Sequence, residues 1–342
     1  MKNRIALLML LLLCNLHNLL AQDVHFSQFF EAPLLRNPSL AGLFAGDVRL
    51  QGVYRNQWGS VTVPYQTGSF NFEYKMPVGR GNDFITTGVQ VLYDKAGVTN
   101  FQTTDVLPAL NYHKSLNGER SKYLSLGFMG GIVQRRIDRS KMTTNNQFDG
   151  TGYNPALSDG ELFTQTNFHY WDGSFGMSFN SAIAESTTDY YFLGAAYHHF
   201  NRPRNSFYTN PPVELNPKLV FSGGVRLSFN EVSYITIQAD FSKQGSSSET
   251  IAGATYSYKL GDDVDNPQYV IHFGGYLRLK DAFIPVVKFD YNPFSIAFSY
   301  DANSSQLKTA SQSRGGMEIS LTYAGFLNRD NSTKDAVLCP KF

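Results

Sequence analysis

Apolar and polar residues alternate along most of this chain. In the stretch SFNFEYKM, Phe70, Phe72, Tyr74 and Met76 fall on one side and Asn71, Glu73 and Lys75 on the other, because successive side chains of an extended strand point to opposite faces. In MEISLTY, Met317, Ile319, Leu321 and Tyr323 oppose Glu318, Ser320 and Thr322. In YITIQADF, Ile235, Ile237, Ala239 and Phe241 oppose Tyr234, Thr236, Gln238 and Asp240. FSIAFSY (294–300) and KLVFSGGVRLSF (218–229) repeat the pattern. Turn-forming runs punctuate it: PVGRGND, LNGER, GDDVDNP and YNP.

The pattern predicts about fourteen strands, near 47–57, 65–76, 84–94, 103–115, 121–137, 167–180, 189–200, 216–229, 232–243, 248–260, 268–279, 283–290, 294–301 and 315–325. Charged residues make up 17% of the chain, against roughly 25% in soluble domains. No later apolar run approaches the ~20 residues of a spanning helix. An apolar, aromatic chain with an even number of strands, each about ten residues or longer, reads as all-β, a transmembrane antiparallel β-barrel. A secreted β-sandwich or propeller would alternate as well, so loop lengths matter. With both ends of the barrel periplasmic, loops after odd strands face outward and are the longer ones. The longest gaps, 138–166, 201–215 and 302–314, all follow odd strands, and the short turns near 116–120, 230–231 and 291–293 follow even ones.

Lys2 and Arg4 precede an apolar core, Ile5 to Cys14, and Ala21 precedes Gln22 and Asp23. That order predicts a secretory signal peptide over 1–21. Its removal takes away two bases and no acid, so the net charge falls from +1 to −1, and nothing argues for a nucleic-acid partner. Cys14 leaves too, so Cys339 has no internal disulfide partner; a cross-link to another protein is its candidate role, beside that of a bystander thiol. The expected organisation is signal peptide 1–21, a non-barrel periplasmic or plug segment 22–45, a barrel 46–326 and a tail 327–342.

Catalytic and cofactor signals are weak. No Gly-x-Ser-x-Gly or His-Glu-x-x-His run is present. His169, His198, His199 and His272 are candidates for a catalytic or metal site but read as polar loop-edge residues, and adjacent His198 and His199 would point to opposite faces of a strand and cannot share a metal. GRGNDF and GDDVDN lack the residues that complete a phosphate or calcium loop and read as hairpin turns. No cofactor, metal or small-molecule substrate is expected. Residues 145–163 form the largest connection, longer than the ~12–15 residues of ordinary loops. Its Phe148, Tyr153 and Phe163 suit a lid over the mouth or an inserted plug, and a plain outer loop is the alternative.

The segment QDVHFSQFFEAPLLRNPSLAG, 22–42, resembles the N-terminal signature of the PorP/SprF family, membrane proteins of the type IX secretion and gliding system. The matching residues are Asp23, Phe26-Ser27-Gln28, Pro33-Leu34, Asn37-Pro38 and Ala41-Gly42. YRNQW (54–58), YDKAG (93–97), the FDGTGYNP loop and CPKF follow in order. Ala32 departs from the asparagine that the family often shows before the first proline. The resemblance implies a non-enzymatic outer-membrane barrel in outer-membrane lipid. It implies as partners either type IX components, such as the periplasmic ring, or a large secreted adhesin. The residues themselves leave two uses for the N-terminal segment. It plugs the periplasmic mouth, or it docks a partner through Phe26, Gln28, Phe29, Phe30, Asn37 and Pro38, the phenylalanines being aromatic anchors. An outer-membrane channel or hydrophobic-solute transporter is the alternative function. A lipid hydrolase would need a serine and a histidine facing the same side.

Overall fold

The alternating runs form fourteen strands: β1 (Val48–Gln57), β2 (Tyr65–Pro77), β3 (Phe84–Ala96), β4 (Phe101–Asn117), β5 (Lys122–Arg136), β6 (Asn167–Ala182), β7 (Tyr190–His198), β8 (Lys218–Ser228), β9 (Ser233–Gln244), β10 (Ser247–Leu260), β11 (Tyr269–Arg278), β12 (Ala282–Tyr291), β13 (Phe294–Asn303) and β14 (Arg314–Gly325). This computed structural model describes residues 23–328 apart from 60–62, 80–81, 118–121, 164, 185–187, 209–212, 306–310 and 313. The expected signal peptide and Cys339 lie outside the described residues.

Every strand pairs antiparallel with its sequence neighbours, and β14 returns to β1 from Val48↔Gly325 to Gln57↔Gly316. Closure leaves no edge strand with unpaired backbone groups, the condition for spanning lipid with strands. The wall is polar inside and apolar outside. Asn71, Glu73 and Lys75 are fully buried while Phe70 and Phe72, alternating with them, are exposed on the outer wall. Phe128, Phe175, Leu193, Phe273 and Leu321 share that outer face on other strands.

The connections 137–166, 199–217 and 304–313 gather at one rim, here the outer rim. Length asymmetry is confined to these three. The 97–100, 245–246 and 279–281 connections at the same rim are short. The β9–β10 hairpin closes in two residues because Gly245 adopts a positive φ of 57°, which tight hairpin turns require.

Residues 23–47 make no strand. Three single turns, Phe29–Glu31, Pro33–Arg36 and Pro38–Leu40, carry them along the lumen. Asp23 meets His199 near the outer rim. Phe26 packs with Val53 and Leu92, and Leu34 with Leu107, Ala109, Met129 and Val133. At the opposite, periplasmic rim, Asp47 N–H donates to Gly325 O at 2.8 Å as the chain enters β1. The segment therefore descends the whole lumen instead of crossing one mouth. Eight strands leave an interior that side chains just fill, while sixteen leave a channel, so fourteen leave room for a length of chain.

Because Phe128 lies mid-strand on the lipid face, Phe128→Arg should destabilise the barrel by about 2–4 kcal/mol. Thr143→Arg, in an outer loop, should leave it unchanged. Loss of the compact, heat-modifiable band in detergent gels for the first variant alone is the expected result.

Candidate functional site: the filled lumen

The wall reads the segment's backbone. Ser27 N–H and Gln28 N–H each donate at 2.7 Å to one oxygen of Glu318. Gln28 Nε2 donates to Ser299 Oγ and Glu318 O, both at 3.1 Å. Ser27 Oγ donates to Asp301 at 2.6 Å and accepts from Arg278. Arg55 donates to His25 O at 2.7 Å and pairs with Asp301 and Glu318 at 3.0 and 3.3 Å. Alternation already turns Arg55, Arg278, Asp301 and Glu318 inward; the segment threads between them.

Near the outer rim, His199 bridges two carboxylates, Asp23 at 2.6 Å and Asp172 at 2.7 Å. Burial disfavours its charged form, but the Asp23 charge and the hydrogen bonds to Asp172 and Asp23 together push its pKa up to about 10. Burial likewise opposes ionisation of Asp23, yet the His199 charge carries it below the usual carboxylate range. Burial, then the Arg278 and Arg55 guanidinium groups, hold His25 well below the ordinary imidazole value. Its 3.5 Å approach to Glu249 is therefore the contact of a neutral ring, not a salt bridge.

Midway down, the segment's own charges are matched. Glu31 accepts from Lys288 Nζ at 2.6 Å and Gln51 Nε2 at 2.7 Å. Arg36 Nε donates to both oxygens of Asp240 (2.7 and 2.6 Å) and Nη1 to Gln238 at 3.0 Å. The Arg36 guanidinium lies 4.7 and 5.0 Å from the ring centroids of Phe29 and Phe192. Phe29 and Phe30 meet the Tyr276 ring at 5.4 and 5.2 Å.

Asn37 and Pro38 lie on glycine. Asn37 Oδ1 accepts from Ser39 N and Oγ (2.9 and 2.7 Å), and Nδ2 donates to Met177 O and Ala195 O (3.3 and 3.2 Å). A Cβ on Gly176 would fall 1.9 Å from Asn37 Oδ1, and one on Gly127 would fall 2.5 Å from Pro38 C. These two glycines are cross-strand partners on β5 and β6. Below them Asn111 Nδ2 donates to Ser39 O and Ala41 O (2.7 and 2.9 Å), and Gly42 N–H to Glu73 at 2.8 Å. Lys75 Nζ donates to Phe44 O at 2.6 Å.

A cavity of about 590 Å³ remains beside the segment. Phe30, Pro33, Leu40 and Phe44 of the segment bound one side, and the lining extends to the turns around Asn266 and Asn292. Arg226 stands 3.6 Å over the Tyr234 ring on the strand wall.

Three lumen histidines face a serine directly across a strand pair: His113–Ser125, His198–Ser174 and His272–Ser257, at 2.7, 3.0 and 2.7 Å. His272 also contacts Asp290 at 2.9 Å. Serine, imidazole and carboxylate in a row is the order of a hydrolytic triad. Ser257 is 1% exposed, however, and the two sister pairs repeat the serine contact without the acid. The recurrence assigns all three to satisfying buried polar groups of the wall. Among the described residues, no group of three or more His, Cys, Asp or Glu side chains is placed to hold a metal ion.

Of the residues singled out in the sequence, Phe26, Gln28, Phe29, Asn37 and Pro38 are buried in the lumen and Phe30 partly so. His199 does not face away from His198. Its positive φ of 55° turns the chain off the strand, so His198, at the end of β7, contacts Ser174 and Arg36 O, while His199, the first residue of the outer connection, also turns to the N-terminal segment at Asp23. His169 is exposed. The two hairpin-turn readings hold, since 78–83 and 261–268 each link neighbouring strands. Phe148 and Tyr153 bridge each other and are 60% and 53% exposed. Phe163 is buried against Phe207 and Tyr208, with Arg139 5.0 Å over its ring. The hydrogen bond from Arg139 holds Asp159 down at about 2. The β5–β6 loop is thus pinned to the β7–β8 loop through Phe163, with Phe148 and Tyr153 turned to solvent. Sequence reasoning missed Glu31 and Arg36 and the wall residues that receive them. Alternation had placed Asp240 and Glu318 inside, but no signal linked them to a segment two hundred residues or more away.

A family model described as "Type IX secretion system membrane protein PorP/SprF" matches residues 18–323. No curated protein matches the chain in sequence. Similar solved structures include the toluene transporter TbuX of Ralstonia pickettii (12% identity, 85% of this chain and 92% of that one, TM-score 0.47). The TodX monoaromatic hydrocarbon channel matches at 10% identity, 86% and 93% coverage and TM-score 0.48. The translocator domain of the autotransporter NalP from Neisseria meningitidis matches at 10% identity, 81% and 87% coverage and TM-score 0.38. These likenesses are of barrel architecture and carry nothing about function.

Two outcomes follow from the geometry. Gly176→Val should displace the Asn37–Pro38 turn at a cost of about 1–3 kcal/mol, seen as faster hydrogen exchange at Ser39. Gly68→Ala, whose added carbon meets nothing within 4 Å, should not. The stability that His199 lends is full below its ordinary pKa of 6.5 and lost as pH rises through about 10. That from Asp23 is full above 3.8 and lost as pH falls through its lowered value. Protection of the Val24–Gln28 amides, corrected for intrinsic exchange, should be greatest between about pH 4 and 6.5 and fall as pH rises from 6.5 towards 10; in His199→Gln it should be lower and lack that alkaline fall.

Proposed function

The chain belongs to the PorP/SprF family of type IX secretion system membrane proteins and is an outer-membrane β-barrel, and from that premise we propose a non-enzymatic role in the type IX secretion and gliding machinery. In this role it secretes or anchors a surface adhesin, or docks the periplasmic ring. The observation that carries the reading is the occupied lumen. Residues 23–47 run through it, held by matched charges and backbone contacts, and leave one cavity of about 590 Å³ beside them, so the surfaces most open to partners are the two rims. At the outer rim the pinned β5–β6 loop presents Phe148 and Tyr153, the exposed aromatics that partner contacts favour. Within this reading Phe26, Gln28, Phe29, Phe30, Asn37 and Pro38 act as a plug and not as a docking peptide.

A channel or hydrophobic-solute transporter is the second reading, and the cavity of about 590 Å³ left beside the segment, lined as far as the turns around Asn266 and Asn292, favours it. A mild-detergent pull-down from the native host, with the tag in an outer loop and read by mass spectrometry, separates the two. Ring lipoproteins, or one giant repetitive surface protein, would support the secretion role and say which branch of it applies. Neither, together with solute-dependent swelling of liposomes carrying the intact protein, would replace it with the channel.

A further inference from the structure

We propose that residues 25–31 are a clasp that holds the barrel shut at the seam where its last strand meets its first, a role that stands apart from the secretion reading. The seam is the most demanding joint of the wall. Every other pairing joins strands consecutive in sequence, whereas β1 and β14 come together from the two ends of the barrel. Closing so long a loop costs more chain entropy than closing a hairpin, and pairings of that kind form late. An unpaired β1 or β14 would also turn open backbone groups towards lipid, which cannot satisfy them. The ladder beside the seam is itself broken. Pairing of β12 with β13 stops at Phe283↔Ala302 and resumes at Val286↔Ser299, around Pro285, which has no N–H to give. On the other flank of β13 the register with β14 slips between Tyr300 and Ala302, as at a bulge. Asp301 sits at the level of both breaks.

The segment's contacts gather on these joints. Ser299, Glu318 and Arg55 are cross-strand partners in one row over β13, β14 and β1, and residues 25–28 bind all three. Gln28 Nε2 donates to Ser299 Oγ, the N–H groups of Ser27 and Gln28 donate to Glu318, and Arg55 donates to His25 O. Four residues nearer the periplasmic rim, Gln51 and Thr322 are also partners across the seam. One oxygen of Glu31 accepts from both, at 2.7 and 3.4 Å. At the broken ladder, Asp301 accepts from Ser27 Oγ, Arg55 and Arg278, which ties β13 to the segment, to β1 and to β11. The clasp is part of the chain that leads into β1, so its grip on β13 and β14 tethers the first strand to the last two. A hairpin does this for the other strand pairs through the backbone. Asn37 shows the contrast: it grips Met177 O and Ala195 O on β6 and β7, strands already joined by their own connection.

The test compares two amides of the segment in the full chain, extracted in mild detergent, by hydrogen exchange read with mass spectrometry. Gln28→Ala removes bonds to β13 and β14, and Asn37→Ala removes bonds to β6 and β7. Gln28→Ala should speed exchange of the β1 and β14 amides about tenfold, the scale of one or two lost hydrogen bonds, and leave β6 and β7 as they were. Asn37→Ala should do the reverse. A disulfide between Tyr54→Cys and Ile319→Cys, partners across the seam, in a Cys339→Ser background, should cancel the effect of Gln28→Ala and not that of Asn37→Ala. An unmoved seam in Gln28→Ala would overturn the proposal. So would equal loosening of both regions by either variant, or a seam disulfide that acts alike on the two. If Gln28→Ala does not assemble, Gln28→Asn, one carbon shorter, is read in its place by the same outcomes.

Discussion

A charge enclosed in a closed barrel must find a partner there, and in this protein many of the partners stand on the N-terminal segment. Asp240 without Arg36, or Lys288 without Glu31, would be a buried charge stripped of its closest counter-ion, a loss of about 3–5 kcal/mol at such sites. Glu318 depends on the segment in another way: its two oxygens take backbone N–H groups of Ser27 and Gln28, which any sequence could offer only by running at that height in the lumen. The barrel thus fixes the segment's register by its backbone at the top and by its side chains at the middle. Wall and segment are each incomplete alone.

Shape supplies what charge does not. The Asn37–Pro38 turn approaches β5 and β6 so closely that only cross-strand glycines, Gly127 and Gly176, leave space for it. Asn37 closes the turn on Ser39 and reaches the carbonyls of Met177 and Ala195 with the other end of its amide. Aspartate lacks that donor and glutamine is a carbon too long, so the asparagine is fitted from both sides. The cost of the glycine path falls on the strands, where glycine weakens packing; long neighbouring ladders compensate, with β5 paired to β6 from Lys122↔Ser181 to Arg136↔Asn167.

The barrel was legible because its code is local. Asn71, Glu73 and Lys75 against Phe70 and Phe72 state which face meets lipid and which meets the lumen, and each strand repeats the statement independently. The segment's path was not legible, because it is set by pairs such as Gln28 with Glu318 and Arg36 with Asp240, more than two hundred residues apart. Alternation says that Glu318 is inside and cannot say what it holds. His199 misled for a different reason: strand logic puts it opposite His198, and one residue of left-handed backbone cancels that logic. The 145–163 loop was legible in size but not in orientation. Three aromatics of similar character divide between solvent and the Phe207 cluster according to contacts with another loop.

The way the segment is held bears on what the barrel can do. A plug meant to leave on a signal is best tied at one place, where one event can free it. Here the ties are spread from Asp23 at the outer rim to Asp47 at the periplasmic rim, in chemically different forms: an imidazolium between carboxylates, a carboxylate on backbone amides, a forked arginine, a turn on glycine and a lysine on a carbonyl. No single change of pH or ionic strength, and no one competing ligand, dissolves all of them together. Partial release would leave the remaining wall charges exposed to one another in a confined space. The segment is therefore better regarded as the fifteenth element of the fold than as a gate, and work at the two rims can proceed while the lumen stays filled.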